Sequence, residues 1–108
     1  MNERDEIFFR RIQEEINFIR ASVKDIDKDI FLKNKIYQHA ITMSLIVIGE
    51  NVNHLSNEFR EKYSEIEWVQ IIAVRNIAAH GYWQLNMEQI WKAIEIDIPK
   101  LKTFFDKF

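Results

Sequence analysis

Ile7-Phe8-Phe9-Arg10-Arg11-Ile12-Gln13-Glu14-Glu15-Ile16-Asn17-Phe18-Ile19-Arg20-Ala21-Ser22-Val23 is the stretch on which the fold class turns. Ile7, Phe8, Ile12, Ile16, Ile19 and Val23 recur at three- and four-residue steps, which lays one apolar stripe along an α-helix. An amphipathic first helix is expected from about Glu3 to Ser22, followed by a charged connection from Asp25 to Asp29. The same period continues beyond it. A second helix is expected from about Ile30 to Ser56, with Ile36, Ala40, Met43, Val47 and Leu55 on one stripe. The apolar belt Leu45 to Ile48 implies burial on more than one side, and hence a partner besides the first helix.

The rest of the chain reads the same way. After a polar bend at Asn57 to Tyr63, Ser64 stands as an N-cap with Glu67 at the reciprocal capping-box position. Trp68, Ile71, Ile72 and Val74 then open a third helix. A fourth starts near Asn86-Met87-Glu88, carries Ile90, Trp91, Ile94 and Ile98, and continues past Pro99 with Leu101, Phe104, Phe105 and Phe108. Pro99 should kink or restart it, because a proline lacks the amide hydrogen that the preceding turn needs. One proline and two glycines are too few breakers for a turn-rich β fold. The expectation is an all-α, up-and-down bundle of four to five helices forming a single domain over residues 1–108.

Composition bounds the function. The 108 residues are 47% apolar, carry a net charge of −2, and contain no cysteine, which removes disulfide and thiol chemistry. A pI near 5.9 argues against a broad basic face that holds duplex or long RNA, so any nucleic-acid contact should be local. The N-terminus lacks the pattern of a signal peptide, and Ala40 to Gly49 is about half the length that spans a bilayer. A soluble, cytoplasmic protein is expected.

The chemistry concentrates in Arg75-Asn76-Ile77-Ala78-Ala79-His80-Gly81-Tyr82. Residues five apart sit about 140° apart around a helix, so Arg75 and His80 converge only if the helix ends between or just after them. Gly81 is the expected stop. His80 then lies in the last turn, where the exposed carbonyls favour the imidazolium, and a histidine beside a fixed cation suits general acid–base work. Either residue could instead simply cap the helix end, and Tyr82 beside Trp83 could be an aromatic plug or a dimer contact.

His39 and His54 lie about four turns apart on the second helix and cannot share a metal. No His-x-x-x-His, clustered carboxylate or cysteine pattern supplies a zinc or two-metal site, so metal-independent chemistry with no cofactor is expected. Glu50, after Gly49, is either a surface carboxylate or a partner that orients Arg75.

Arg-x-x-x-x-His followed by x-Tyr resembles the motif of the HEPN superfamily, and specifically of the HepT-like ribonuclease toxins. Ile48-Gly49-Glu50, the Tyr63-to-Trp68 stretch leading into Ile71-Ile72-Ala73-Val74, Ile90-Trp91 and Asp97-Ile98-Pro99-Lys100-Leu101 are similar to further blocks of that family, in the same order. Asn51-Val52 departs, since alanines more often follow the glutamate there.

The resemblance implies a HEPN-like bundle acting as an endoribonuclease toxin of a type VII-like toxin–antitoxin system. It implies Arg75 and His80 as catalytic residues with the polar Asn76 beside them, a homodimer whose two motifs line one cleft, and a nucleotidyltransferase antitoxin, MntA, that attaches AMP to Tyr82. A metal-free cut uses the RNA's own 2′-hydroxyl and needs a base, an acid and a cation. A dimer would supply two His80 side chains, with Tyr82, Trp83 and Trp91 as candidate interface anchors. Two readings stand beside it: a non-catalytic HEPN binding module for nucleotide or RNA, and a plain four-helix assembly protein.

Overall fold

A computed structural model of the chain describes residues 1–80 and 86–108, the His80 side chain excepted. Among these residues all regular structure is helical. Helix α1 spans Glu3–Val23, α2 Lys28–Lys33, α3 Lys35–His54, α4 Asn57–Lys62 and α5 Trp68–His80. Then come α6 over Met87–Lys92, a π-helical turn over Ala93–Asp97, and α7 over Ile98–Phe105. The architecture is an all-α, HEPN-like bundle in which α3 is packed between α1 and α5, with α7 against α1. No helix among the described residues is long and apolar enough to cross a membrane.

Side-chain caps decide where these helices begin. Asn2 accepts a hydrogen bond from the Asp5 amide (2.7 Å) and starts α1 among the acidic residues Glu3, Asp5 and Glu6, which suit the positive end of the helix dipole. Asp27 caps α2 by accepting from the Ile30 amide at 2.9 Å. The single second helix expected from Ile30 to Ser56 is broken at Asn34. That residue takes an extended conformation, and its side chain accepts from the amides of Ile36 (2.9 Å) and Tyr37 (3.2 Å), so it ends α2 and caps α3 at once.

The region expected to be a polar bend is helix α4. Ser56, not Ser64, is a capping residue here, accepting from the Phe59 amide at 3.1 Å. Ser56 is itself held by the buried carboxylate of Asp5, which accepts from its amide at 2.8 Å and from its hydroxyl at 2.6 Å. The carboxylate thus joins the start of α4 to the first turn of α1, and its burial is offset by these two bonds. Ser64 to Glu67 form no capping box. The turn before α5 is tied down instead by the Trp68 indole, which donates to the Tyr63 carbonyl at 3.0 Å.

The apolar stripe read from α3 mixes two sides of the chain: Leu55 reaches the core and Ala40 and Val47 are half-buried, while its other two members face outward. Ile36 is 81% exposed and Met43 59%, whereas Ile41, Leu45, Ile48 and Val52 are buried with Leu55 just beyond the helix. A helix apolar on several sides has an ambiguous phase, and packing against α1 and α5 settles it. The α1 stripe, by contrast, enters the core as expected through Ile12, Ile16 and Ile19. Phe9, Phe59, Trp68, Phe104 and Phe105 pack beside it with edge-to-face and tilted rings, Phe9 and Phe105 at 4.4 Å.

Of the two expected outcomes at Pro99 the structure shows the restart: α7 begins beside it, and the chain widens into the π turn just before it. The Ile98 amide donates to the Ala93 carbonyl five residues back, and the proline falls in the first turn of α7, where its missing amide hydrogen matters least.

Candidate active site at the seam of α3 and α5

Glycine at position 49 sets the geometry. A Cβ built there would collide with the Arg75 Cβ and lie 2.9 Å from its Cγ and 3.1 Å from the Ile71 carbonyl oxygen. The stem of Arg75 therefore lies directly across the backbone of α3, an approach that only glycine permits. Gly49→Ala sets two terms against each other. Alanine in a helix interior gains about 1 kcal/mol over glycine, while forcing a methyl into a closed contact costs about 1–3 kcal/mol. The Arg75 contact involves the rigid start of the side chain, so the cost should win. Thermal unfolding of the variant is expected about 5 °C or more below the parent; a rise would show that the seam yields easily.

With its stem fixed, the Arg75 guanidinium is held by two acceptors. One terminal nitrogen lies 2.9 Å from Glu50 Oε2, and the other donates to Asn76 Oδ1 at 3.0 Å. A guanidinium offers five N–H donors in a planar fork, so each terminal nitrogen keeps one hydrogen for a further acceptor. Nε is buried and makes no hydrogen bond among the described residues. The Arg75 side chain is 28% exposed and that of Glu50 44%, so the pair stands at the surface of the seam with a face open to solvent. An oriented, partly desolvated guanidinium of this kind suits a phosphate.

The structure thus brings together Glu50, Arg75 and Asn76. His80 is the last residue of α5, and its side chain is outside the described set, as are Gly81, Tyr82 and Trp83. Trp91, expected as an interface anchor, is 7% exposed and packs on Phe31 at 5.4 Å. The α6 face that bears it is turned into the core. Asn51, where the chain departs from the family pattern, is buried and donates to the Val47 carbonyl at 2.7 Å, a contact within α3.

One residue of the site enters the sequence reading only as a histidine unable to share a metal. His54 Nε2 lies 3.3 Å from Glu50 Oε1, so a single carboxylate is shared by His54 and Arg75. The imidazole also stacks on Phe8 of α1, with ring centroids 5.0 Å apart and 17° between planes. The Glu50-to-His54 spacing of four is the available signal, since such residues are neighbours on a helix face.

Comparison with known proteins identifies the family. The family model for ribonuclease HepT-like proteins matches residues 12–108. The chain belongs to the HepT-like ribonuclease family. A protein of Methanocaldococcus jannaschii, named as a candidate RNase, MJ1380, is 35% identical over 103 residues, covering 94% of each chain. The "Probable ribonuclease HepT" of Thermococcus cleftensis is 31% identical over 100 residues, 93% of this chain and 91% of that one. A candidate RNase of Caldanaerobacter subterraneus, TTE0752, is 36% identical over 95 residues, 88% of this chain and 85% of its own. No solved structure matches the chain. The matched residues of the family model, 12–108, include the seam from α3 to α5.

Proposed function

We propose that this protein is a metal-independent endoribonuclease toxin of the HepT/MntA kind, a single HEPN-like domain that works in the cytoplasm as a homodimer. Arg75 carries this reading: a guanidinium clamped by Glu50 and Asn76, with donors left over, can hold the scissile phosphate and stabilise the charge that builds on its oxygens. Asn76 and Glu50 orient the fork so that its donors are in place before the substrate arrives.

The step is an internal transfer. The 2′-oxygen of the RNA attacks the adjacent phosphorus while the bond from phosphorus to the 5′-oxygen breaks, leaving a 2′,3′-cyclic phosphate. One His80 takes the 2′ proton and a second His80, from the other protomer, protonates the departing 5′-oxygen. Exposed apolar side chains support the dimer. Val69, Val74 and Ile77 on α5 and Ile36 and Met43 on α3 face solvent in the single chain, and a second copy would cover them.

Control of the toxin runs through Tyr82, to which a nucleotidyltransferase antitoxin of the MntA type attaches AMP. The phosphate and base then compete for Arg75 and block the RNA. The test of the enzyme is direct. Purified protein confirmed by mass to lack AMP is incubated with total cellular RNA in EDTA, and the fragment ends are analysed. Fragments ending in 2′,3′-cyclic phosphates are expected; an inert protein that still binds RNA would favour a binding module over a nuclease.

A further inference from the structure

The chain of contacts at the seam does not stop at the candidate catalytic residues. From Arg75 it passes to Glu50 at 2.9 Å, to His54 at 3.3 Å, and on to the Phe8 ring at 5.0 Å. Two more cations flank that ring. The Arg4 guanidinium carbon lies 5.9 Å from its centroid and that of Arg11 5.5 Å. Arg4, Phe8 and Arg11 fall at i, i+4 and i+7, so α1 presents them as one stripe alongside the His54 end of α3.

The charges on this stripe are not committed to ion pairs. Arg10 is paired with Glu6 at 2.6 Å, but neither Arg4 nor Arg11 has a carboxylate within ion-pair distance among the described residues. The His54 side chain stays 44% exposed while Phe8 backs one face of its ring. Two guanidiniums without a carboxylate partner thus stand around a half-buried ring that backs an exposed imidazole. Aromatic rings interleaved with arginines are what single-stranded RNA needs, since every base has a face to stack and every nucleotide a phosphate to neutralise.

We propose that Arg4, Phe8, Arg11 and His54 form a subsite for single-stranded RNA adjoining Arg75. A base stacks on the His54–Phe8 pair, and neighbouring phosphates pair with the guanidiniums of Arg4 and Arg11. The subsite rests on the ribonuclease reading above and extends it: the enzyme takes unpaired RNA and grips it to one side of the cut. A base pair in a duplex would keep its faces stacked on its neighbours and could not use the platform.

The test measures binding apart from cleavage, using a fluorescein-labelled single-stranded RNA with every 2′-oxygen methylated, so that it cannot attack its own backbone. Fluorescence anisotropy gives Kd for the parent, the Arg4→Gln/Arg11→Gln double variant, His54→Ala and His54→Phe across a range of salt. The double variant is expected to bind about tenfold more weakly at low salt, with the slope of log K against log salt shallower by about 1.4 for two lost phosphate contacts. His54→Ala should weaken binding about fivefold or more, and His54→Phe should restore it, because the phenyl ring stacks without touching Glu50.

A double variant with the parent's Kd and slope would mean that the arginines only cover Phe8. His54→Phe binding no better than His54→Ala would mean that His54 acts through Glu50 and not as a platform; either result overturns the subsite. Cleavage of unmethylated RNA by the parent separates the two claims. A parent that binds but does not cut removes the nuclease and leaves the subsite, whereas one that cuts while the variants bind normally does the reverse. A parent with no affinity for RNA overturns both.

Discussion

Replacing His80 by alanine is expected to abolish RNA cleavage while leaving the helical content of the protein unchanged. The residue closes α5, and alanine is the best helix former, so the backbone has no reason to rearrange. On the proposed mechanism, what is lost is the proton transfer. General acid–base catalysis contributes about a hundredfold to ten-thousandfold to a rate, and in a two-fold dimer one substitution removes both the base and the acid. The loss should therefore fall at or beyond the upper end of that range. The measurement is cleavage of total RNA in EDTA by parent and variant side by side, with circular dichroism as the control for folding. A fully active variant would remove His80 from the reaction, and equal fragments from both would point to another site or a contaminating nuclease.

The second large effect concerns control and not chemistry. Tyr82→Phe should still cut RNA but escape the antitoxin. Addition of AMP joins the tyrosine oxygen to the α-phosphorus of ATP and releases pyrophosphate, and phenylalanine has no oxygen to offer. The ring itself is kept, so the substitution removes only the oxygen that AMP would be joined to. Incubated with the antitoxin and ATP, the parent should gain the mass of one AMP and fall silent, while the variant gains nothing and stays active. If the variant is silenced by AMP at another position, Tyr82 is not the control point.

Part of the architecture is legible in the amino-acid sequence alone. The α1 period places Ile12, Ile16 and Ile19 in the core correctly, because an amphipathic surface helix has one apolar side and therefore one possible phase. The α3 pattern misleads for the complementary reason. Apolar on several sides, it allows more than one stripe, and Ile36 and Met43 face solvent. Local capping is equally hard to read. Asn34 and Ser56 each look like ordinary polar residues inside or beside a long helical pattern, and what makes them caps is the extended backbone at each.

At the site, the motif residues are legible as chemistry, but the sequence leaves open whether Glu50 is a surface carboxylate or the partner of Arg75, and the structure decides for the partner. Arg75 and Glu50 sit on different helices, and no spacing rule links them. Their ion pair exists because Gly49 lets the arginine stem cross α3 at contact distance. His54 shows the same limit, since its neighbours Glu50 and Phe8 come from two elements and only the packing of α1 on α3 joins them.

The amino-acid sequence by itself determined the fold class, the family and the types of group available for catalysis, since these depend on local periodicity, on the scarcity of breakers and on residues close together in the chain. Only the tertiary structure decided which side of α3 is buried, why position 49 is glycine, and that one carboxylate serves both Arg75 and His54. Those are contacts between helices, fixed by how side chains fill the space between them, and a pattern read along one helix carries no information about the surface it will meet.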